Sequence, residues 1–209
     1  GVEPAYTFVK KALLSGKSVV TSNKALVAKH GAELLEIARD NKLNFLFEAS
    51  VGGGIPIIRP MNQSLTADEI KEISGILNGT TNYILTKMDK EGLVFDEVLK
   101  DAQEKGYAER NPEADIEGYD ACRKIAILSS LAFGFQVDFE DIHTEGITEI
   151  SAMDFRYAEK LNRSIKLLGL SRKTEQNKIY AIVAPFMISP EHALYPVSGV
   201  INGIHLVGN

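Results

Sequence analysis

The first 54 residues alternate helix and strand signals, and that alternation restricts the fold more than any other feature of the chain. Residues 5–14 carry apolar side chains at helical spacing, Phe8 and Ala12 among them, and run into Gly16, a fitting C-cap. Ser18-Val19-Val20-Thr21 is a short β-branched strand. Residues 24–39 form a second amphipathic helix through Leu26, Val27, Leu34, Leu35, Ile37 and Ala38, and residues 44–48 a second apolar strand. This is β-α-β grammar, which predicts parallel strands. No G-x-G-x-x-G opens the segment, so the strand, glycine turn and helix of a dinucleotide site are not at the front. Residue 1 enters a Rossmann-like sheet in mid-stride, and the chain reads as part of a longer protein.

Beyond Gly54 the grammar changes. Residues 56–62 read as a helix or turn, 69–77 as a strand, and 79–88 and 95–105 as helices. The strongest helix spans 118–135, with Ala121, Ile125, Leu128 and Ala132 as its buried stripe. A further helix covers 151–160, and strands are predicted at 165–170, 179–188 and 197–207. The fold class is therefore α+β: a remnant of a Rossmann-like β-α-β unit over 1–54, then a mixed β-sheet covered by helices over 55–209.

With 209 residues the chain can bury a sizeable core in one or two domains. A net charge of −5 and the lack of a basic stripe argue against nucleic acid as a partner. No apolar run reaches the roughly 18 residues of a membrane span, and no signal-peptide pattern opens the chain. The single cysteine, Cys122, excludes an internal disulfide and fits a reducing cytoplasm. Lying in an acidic segment, it reads as a small helix residue and not as a nucleophile.

That segment, AQEKGYAERNPEADIEGYDACRK over 102–124, is where chemistry concentrates. Carboxylates at Glu104, Glu109, Glu113, Asp115, Glu117 and Asp120 end on Lys124, four residues after Asp120 and on the same helix face. Carboxylates can hold a substrate ammonium while the lysine handles a proton on oxygen. A solvated helix entrance, acidic because of the helix dipole, explains the same residues. Gly52-Gly53-Gly54 lacks the lysine and helix of a phosphate loop and reads as a tight turn exposing carbonyls beside Glu48, oxygens that could also serve a hard cation. Asn23-Lys24 stands at the carboxyl end of a strand, where open parallel sheets bind ligands, although a surface lysine at a helix start is common and explains the same pair. The Asn78-Gly79-Thr80-Thr81-Asn82 run opens a helix, as a carboxylate receptor or as a plain N-cap. His30, His143, His192 and His205 are scattered, against a zinc site. No G-x-S-x-G supports a hydrolase.

The acidic segment resembles the signature of the homoserine dehydrogenases, as do VVTSNKALVAKHG, EASVGGGIPII and GILNGTTNYIL. The resemblance runs in order from about Val2 to about Val207. It implies an N-terminal Rossmann domain binding NAD or NADP and a second, α+β domain binding substrate and forming a homodimer or higher oligomer. The implied reaction interconverts L-homoserine and L-aspartate 4-semialdehyde, on the route to threonine, methionine and isoleucine. By position, Lys124 is the implied general acid/base, and Lys24, with Asn23, lies between nicotinamide and substrate. Glu109, Asp115 and Asp120 are implied to bind substrate, with Gly106, Tyr107 and Thr80 in the same pocket. Glu48 and the carbonyls of Val51, Gly53 and Ile55 are the implied monovalent cation site, with sodium as the ion. Without the glycine-rich unit, this chain alone is expected to hold NAD(P) poorly and to have little activity. A non-catalytic amino-acid-binding or dimerisation module is the competing reading. The choice of NAD or NADP is not set by these residues.

Overall fold

A computed structural model describes residues 2–65 and 68–209. Helix α1 (Val2–Leu14) leads to β1 (Val19–Val20), α2 (Lys24–Asp40) and β2 (Phe45–Leu46). As the alternation requires, β1 and β2 are parallel, with Val19 beside Phe45 and Val20 beside Leu46. The strand predicted over 44–48 is shorter than expected: Glu48 leaves the sheet and opens a 3-10 turn, Glu48–Ser50.

After α3 (Ile58–Gln63) come β3 (Glu72–Ile76), α4 (Gly79–Glu91), α5 (Phe95–Glu104), α6 (Glu113–Ile116) and α7 (Tyr119–Phe133). The chain continues through β4 (His143–Thr144), α8 (Ala152–Lys160), β5 (Ser164–Lys173), β6 (Ile179–Ile188) and β7 (Gly203–Val207). Their sheet runs in the order β4-β6-β5-β3-β7. It is mixed, because β4 joins β6 in parallel while every other pair is antiparallel.

Helix α7 buries Ala121, Ile125 and Leu128 of the predicted stripe, while Ala132 is only half-buried. It lies low over the sheet because Gly75 and Gly169 face each other across β3 and β5. A Cβ at Gly169 would stand 3.0 Å from Leu77 and 3.1 Å from Ile125, tighter than ordinary contact. The pair thus lets α7 approach Leu77, the residue that leads from β3 toward α4. One apolar core joins α2 to α7 and the sheet, from Leu26 and Leu34 through Leu85 to Ile125 and Leu128.

The strand predicted over 197–207 begins only at Gly203. Residues 197–202 instead end a strap across the other sheet face, where Leu194 packs on Ile76, Leu168 and Ile188. Its carbonyls are taken by side chains rather than by a neighbouring strand. Lys166 donates to the Val197 carbonyl at 2.6 Å and Asn82 to that of Ile201 at 3.0 Å. Neither α6 nor β4 was expected, both being too short for a periodic signal.

Gly118 launches α7 from a left-handed conformation, φ 81°. A Cβ there would also press on Thr144 at 3.1 Å and Val183 at 3.2 Å. Gly118→Ala is expected to lower stability by roughly 2 kcal/mol or more. Urea unfolding followed by circular dichroism checks this, and an unchanged midpoint would contradict it.

Candidate active site

Asp120 and Lys124 occupy the first turns of α7, where the helix dipole favours the carboxylate. The i, i+4 spacing brings Lys124 Nζ to 2.6 Å from Asp120 Oδ2. Lys124 also donates to the Leu77 carbonyl at 2.7 Å. An ammonium has three N–H groups, so one is left for a ligand. Lys24, the first residue of α2, pairs with the other oxygen of Asp120. Asn23 sets that helix start, its Oδ1 accepting the Leu26 N–H at 3.1 Å. Two lysines from different elements thus converge on one carboxylate that is only 3% exposed.

Asn78, just ahead of α4, completes the cluster. Its side-chain amide donates to Asp115 Oδ1 at 2.7 Å and to Asp120 Oδ2 at 3.1 Å. Burial pushes the Asp120 carboxyl up, but the Lys124 ammonium and the bonds from Lys124, Lys24 and Asn78 together hold it below its ordinary value. Asp115 goes the other way: burial raises it by more than the Asn78 bond lowers it, and the charge of Asp120 adds to the rise. Neighbouring carboxyls pushed apart are the pattern of acid/base sites.

The loop carrying Gly106 and Tyr107 is tied to the same helix start. Thr80 Oγ1 donates to the Tyr107 carbonyl at 2.6 Å, and the Tyr107 ring meets Tyr83 edge-on at 5.0 Å. Tyr83 in turn donates to Asp101, which also pairs with Lys105 at 2.9 Å and Lys87 at 3.2 Å. The Tyr83 hydroxyl and these two ammonium groups hold the Asp101 carboxyl far below the usual range. Glu109 is exposed, and its side chain has no ion pair among the described residues. Of the residues singled out in the sequence, Lys24, Asp115, Asp120 and Lys124 therefore meet in one cluster. Thr80 and Tyr107 border it through α4.

Glu48 stands apart and does a structural task. It accepts from the backbone N–H groups of Ile57 at 2.6 Å, Ile58 at 2.7 Å and Arg59 at 2.8 Å, which caps α3. Of the roughly four lone-pair sites of a carboxylate, one remains for a cation. Among the described residues no hydrogen bond goes to the carbonyls of Val51, Gly53 or Ile55. Hard oxygen donors are therefore available to a cation at this turn, and no group of three or more acidic, histidine or cysteine side chains gathers among the described residues.

Sequence reasoning missed the role of Asn78 and of the Leu77 carbonyl. N-cap spacing was visible in the Asn78 run, but nothing local shows that the same side chain spans to two acids more than thirty residues away. A groove of about 680 Å³ between α2 and the end of α7 has Leu35, Phe47, Leu131 and Phe135 in its lining. Its lining also includes Glu33, Glu36 and Arg39, but it shares no residue with the cluster in which two lysines converge on one buried carboxylate, so the cluster is the better candidate.

A lysine–acid cluster on a helix over a mixed sheet, beside the carboxyl end of a parallel β-α-β unit, places the chain in the α+β class. The chain belongs to the homoserine dehydrogenase family, whose model matches residues 56–209. It is 48% identical to the homoserine dehydrogenase of Synechocystis, an alignment covering all of this chain and 49% of that protein. It is 44% identical to that of Bacillus subtilis, over all of this chain and 48% of the relative. The crystal structure of a homoserine dehydrogenase from Thiobacillus denitrificans superposes with a TM-score of 0.96 at 46% identity, covering 100% of this chain and 48% of that one. A hyperthermophilic archaeal homoserine dehydrogenase solved in complex with NADPH matches at TM-score 0.84 and 34% identity, covering 99% of this chain and 59% of that one. The chain thus spans about half the length of the curated relatives it matches. Among the described residues no helix is long and apolar enough to cross a membrane.

Proposed function

We propose that the complete protein containing this chain is a homoserine dehydrogenase, interconverting L-homoserine and L-aspartate 4-semialdehyde. One observation carries the reading: Lys124, fixed by Asp120 and the Leu77 carbonyl, keeps one N–H direction for a substrate oxygen. NADP or NAD, when bound beside Asn23 and Lys24, would supply the hydride chemistry at C4 of the substrate. In the reduction, the Lys124 ammonium hands its proton to the aldehyde oxygen. In the oxidation, the neutral amine takes the hydroxyl proton as the carbonyl forms. Proton transfer by a positioned side chain contributes typically 10²–10⁴-fold to rate.

The substrate ammonium falls to the carboxylates. Asp120 already accepts from Lys24, Lys124 and Asn78, which leaves it about one lone-pair site. Glu109, with both oxygens open, and the second oxygen of Asp115 take the larger share. The start of α4 at Gly79 and Thr80 faces the substrate carboxylate with free backbone N–H groups, and Gly106 and Tyr107 close the pocket. Asn23 and Lys24, at the carboxyl end of β1, stand where the nicotinamide end of the cofactor approaches. In this reading residues 1–54 end a nucleotide-binding unit and residues 55–209 form the substrate-binding and dimerisation domain. The turn holding the carbonyls of Val51, Gly53 and Ile55, with Glu48, carries a sodium ion. The reaction feeds threonine, methionine and isoleucine synthesis in the cytoplasm.

A second copy of the chain is proposed to cover the part of the sheet face opposite α7 that the strap carrying Leu194 leaves open. Gly169 faces α7, so its neighbour Leu170 points to the opposite side. There it pairs with Ile182, and Tyr180 beyond them is 53% exposed. Ile182→Glu is expected to turn a sedimenting dimer into a monomer; an unchanged dimer places the interface elsewhere.

The reading is tested by assaying the complete protein for L-homoserine-dependent reduction of NADP+ and of NAD+. Turnover with at least one is expected, and none with either overturns it. The 209-residue chain alone, with no G-x-G-x-x-G, is expected to bind NADPH more weakly than micromolar by calorimetric titration. Tight binding would refute that expectation. An amino-acid-binding module without catalysis would bind L-homoserine yet show no turnover in the complete protein.

A further inference from the structure

We infer that Asn78 is the positioning residue of this site, a single amide that sets both acids against Lys124 while it caps α4. The inference rests on the homoserine dehydrogenase reading above. Three bonds fix the amide. Oδ1 accepts the Thr81 N–H at 2.9 Å, closing the first turn of α4. That bond turns Nδ2 outward, where its two hydrogens serve Asp115 Oδ1 at 2.7 Å and Asp120 Oδ2 at 3.1 Å. Only one orientation of the amide satisfies all three partners, since the acids need a donor and the helix N–H an acceptor. Asn78 is also buried, so water cannot replace a lost bond at low cost.

Asp115 lies on α6 and Asp120 on α7, with the left-handed Gly118 between them. Asn78 is the side chain that ties both to the end of β3. Its other effect is on proton affinity. Asp120 Oδ2 receives both Asn78 and Lys124, so the amide takes part of the negative charge that would otherwise grip the Lys124 proton. The charged groups around Asp120 are Lys24 from α2, Lys124 from its own helix and Asp115 from α6. Asn78 is the neutral donor among them. A hydrogen bond to the ionised form of a carboxyl lowers its pKa, so losing that donor moves the acids toward protonation at higher pH.

Serine separates the two duties of Asn78, because it caps a helix about as well as asparagine but is too short to span to both acids. In the complete protein, Asn78→Ser is expected to keep the cap and stay folded at the assay temperature, with the thermal midpoint lowered only by the loss of the two buried bonds to the acids. Turnover should fall roughly 10- to 100-fold, and the acidic limb of kcat/KM for L-homoserine should move to higher pH. Asn78→Asp, which keeps the cap but sets a third carboxylate against the other two, should move the limb further. A wild-type-like pH profile and turnover in Asn78→Ser overturn the inference, as does a loss of activity that only tracks a loss of stability. Should the serine variant not fold, wild-type protein labelled at asparagine decides. The Asn78 side-chain amide resonances are expected to shift as the acids titrate, and flat resonances overturn the inference. Absence of homoserine-dependent turnover in the wild type would instead sink the functional reading, while the amide titration would still report on the acid pair.

Discussion

Replacing Lys124 by alanine in the complete protein is expected to lower turnover by two to four orders of magnitude with little change in KM for L-homoserine. The size follows from the role, since loss of a positioned proton donor typically costs 10²–10⁴-fold. The split between kcat and KM follows from the geometry. Lys124 spends two of its N–H groups on Asp120 and the Leu77 carbonyl, and only one faces the ligand. The substrate ammonium is gripped by carboxylates that the alanine variant retains. Lys124→Arg should fare little better, because guanidinium does not give up its proton in the working pH range. Steady-state kinetics decide: near-normal turnover in Lys124→Ala removes the lysine from proton transfer.

The second large effect is expected at Asp120. This carboxylate is the shared counterion of Lys24 and Lys124 and is almost wholly buried. Removing one partner from a buried ion pair leaves the other charge uncompensated and costs on the order of 3 kcal/mol. Asp120→Ala is therefore expected to lose both stability and activity, with turnover down at least 100-fold as Lys124 loses its anchor. The pH dependence of stability carries the same signature. With its folded pKa held below the ordinary carboxylate range, Asp120 contributes stability above about pH 4, which is lost as pH falls through the lower folded value. Asp120→Asn should flatten that part of the acid-unfolding profile. Asp115 works with the opposite sign: its raised carboxyl gives stability below the ordinary range that is lost as pH rises. Urea midpoints of Asp120→Asn and Asp115→Asn across the acid range separate the two. Identical profiles would mean that the lysines are not held by Asp120.

Much of this architecture was legible because it is periodic. The parallel β1-α2-β2 unit, α7 with its buried stripe and the β5-β6 pair all follow from apolar spacing that extends over several turns or strand residues. Short elements were not legible. Helix α6 has four residues and β4 two, and both exist because of what packs around them. The segment 197–202 has strand-like composition, yet its carbonyls go to Lys166 and Asn82, so tertiary bonds overrode propensity. The Asp120–Lys124 pair could be read from spacing alone, since both residues share a helix. Lys24 stands 96 residues from Asp120, and its contact had no local signal. Asn78 was visible as a cap but not as a bridge, because capping depends on three residues and bridging on the whole fold. Glu48 shows the converse, a carboxylate whose nearest task is to cap α3.

The most direct measurement is a structure of the complete protein with L-homoserine bound. The account predicts the amino acid between α4 and α7, its hydroxyl within hydrogen-bond distance of Lys124 Nζ and its ammonium against Glu109, Asp115 or Asp120. Homoserine seated instead in the groove between α2 and the end of α7, or away from Lys124, would contradict it.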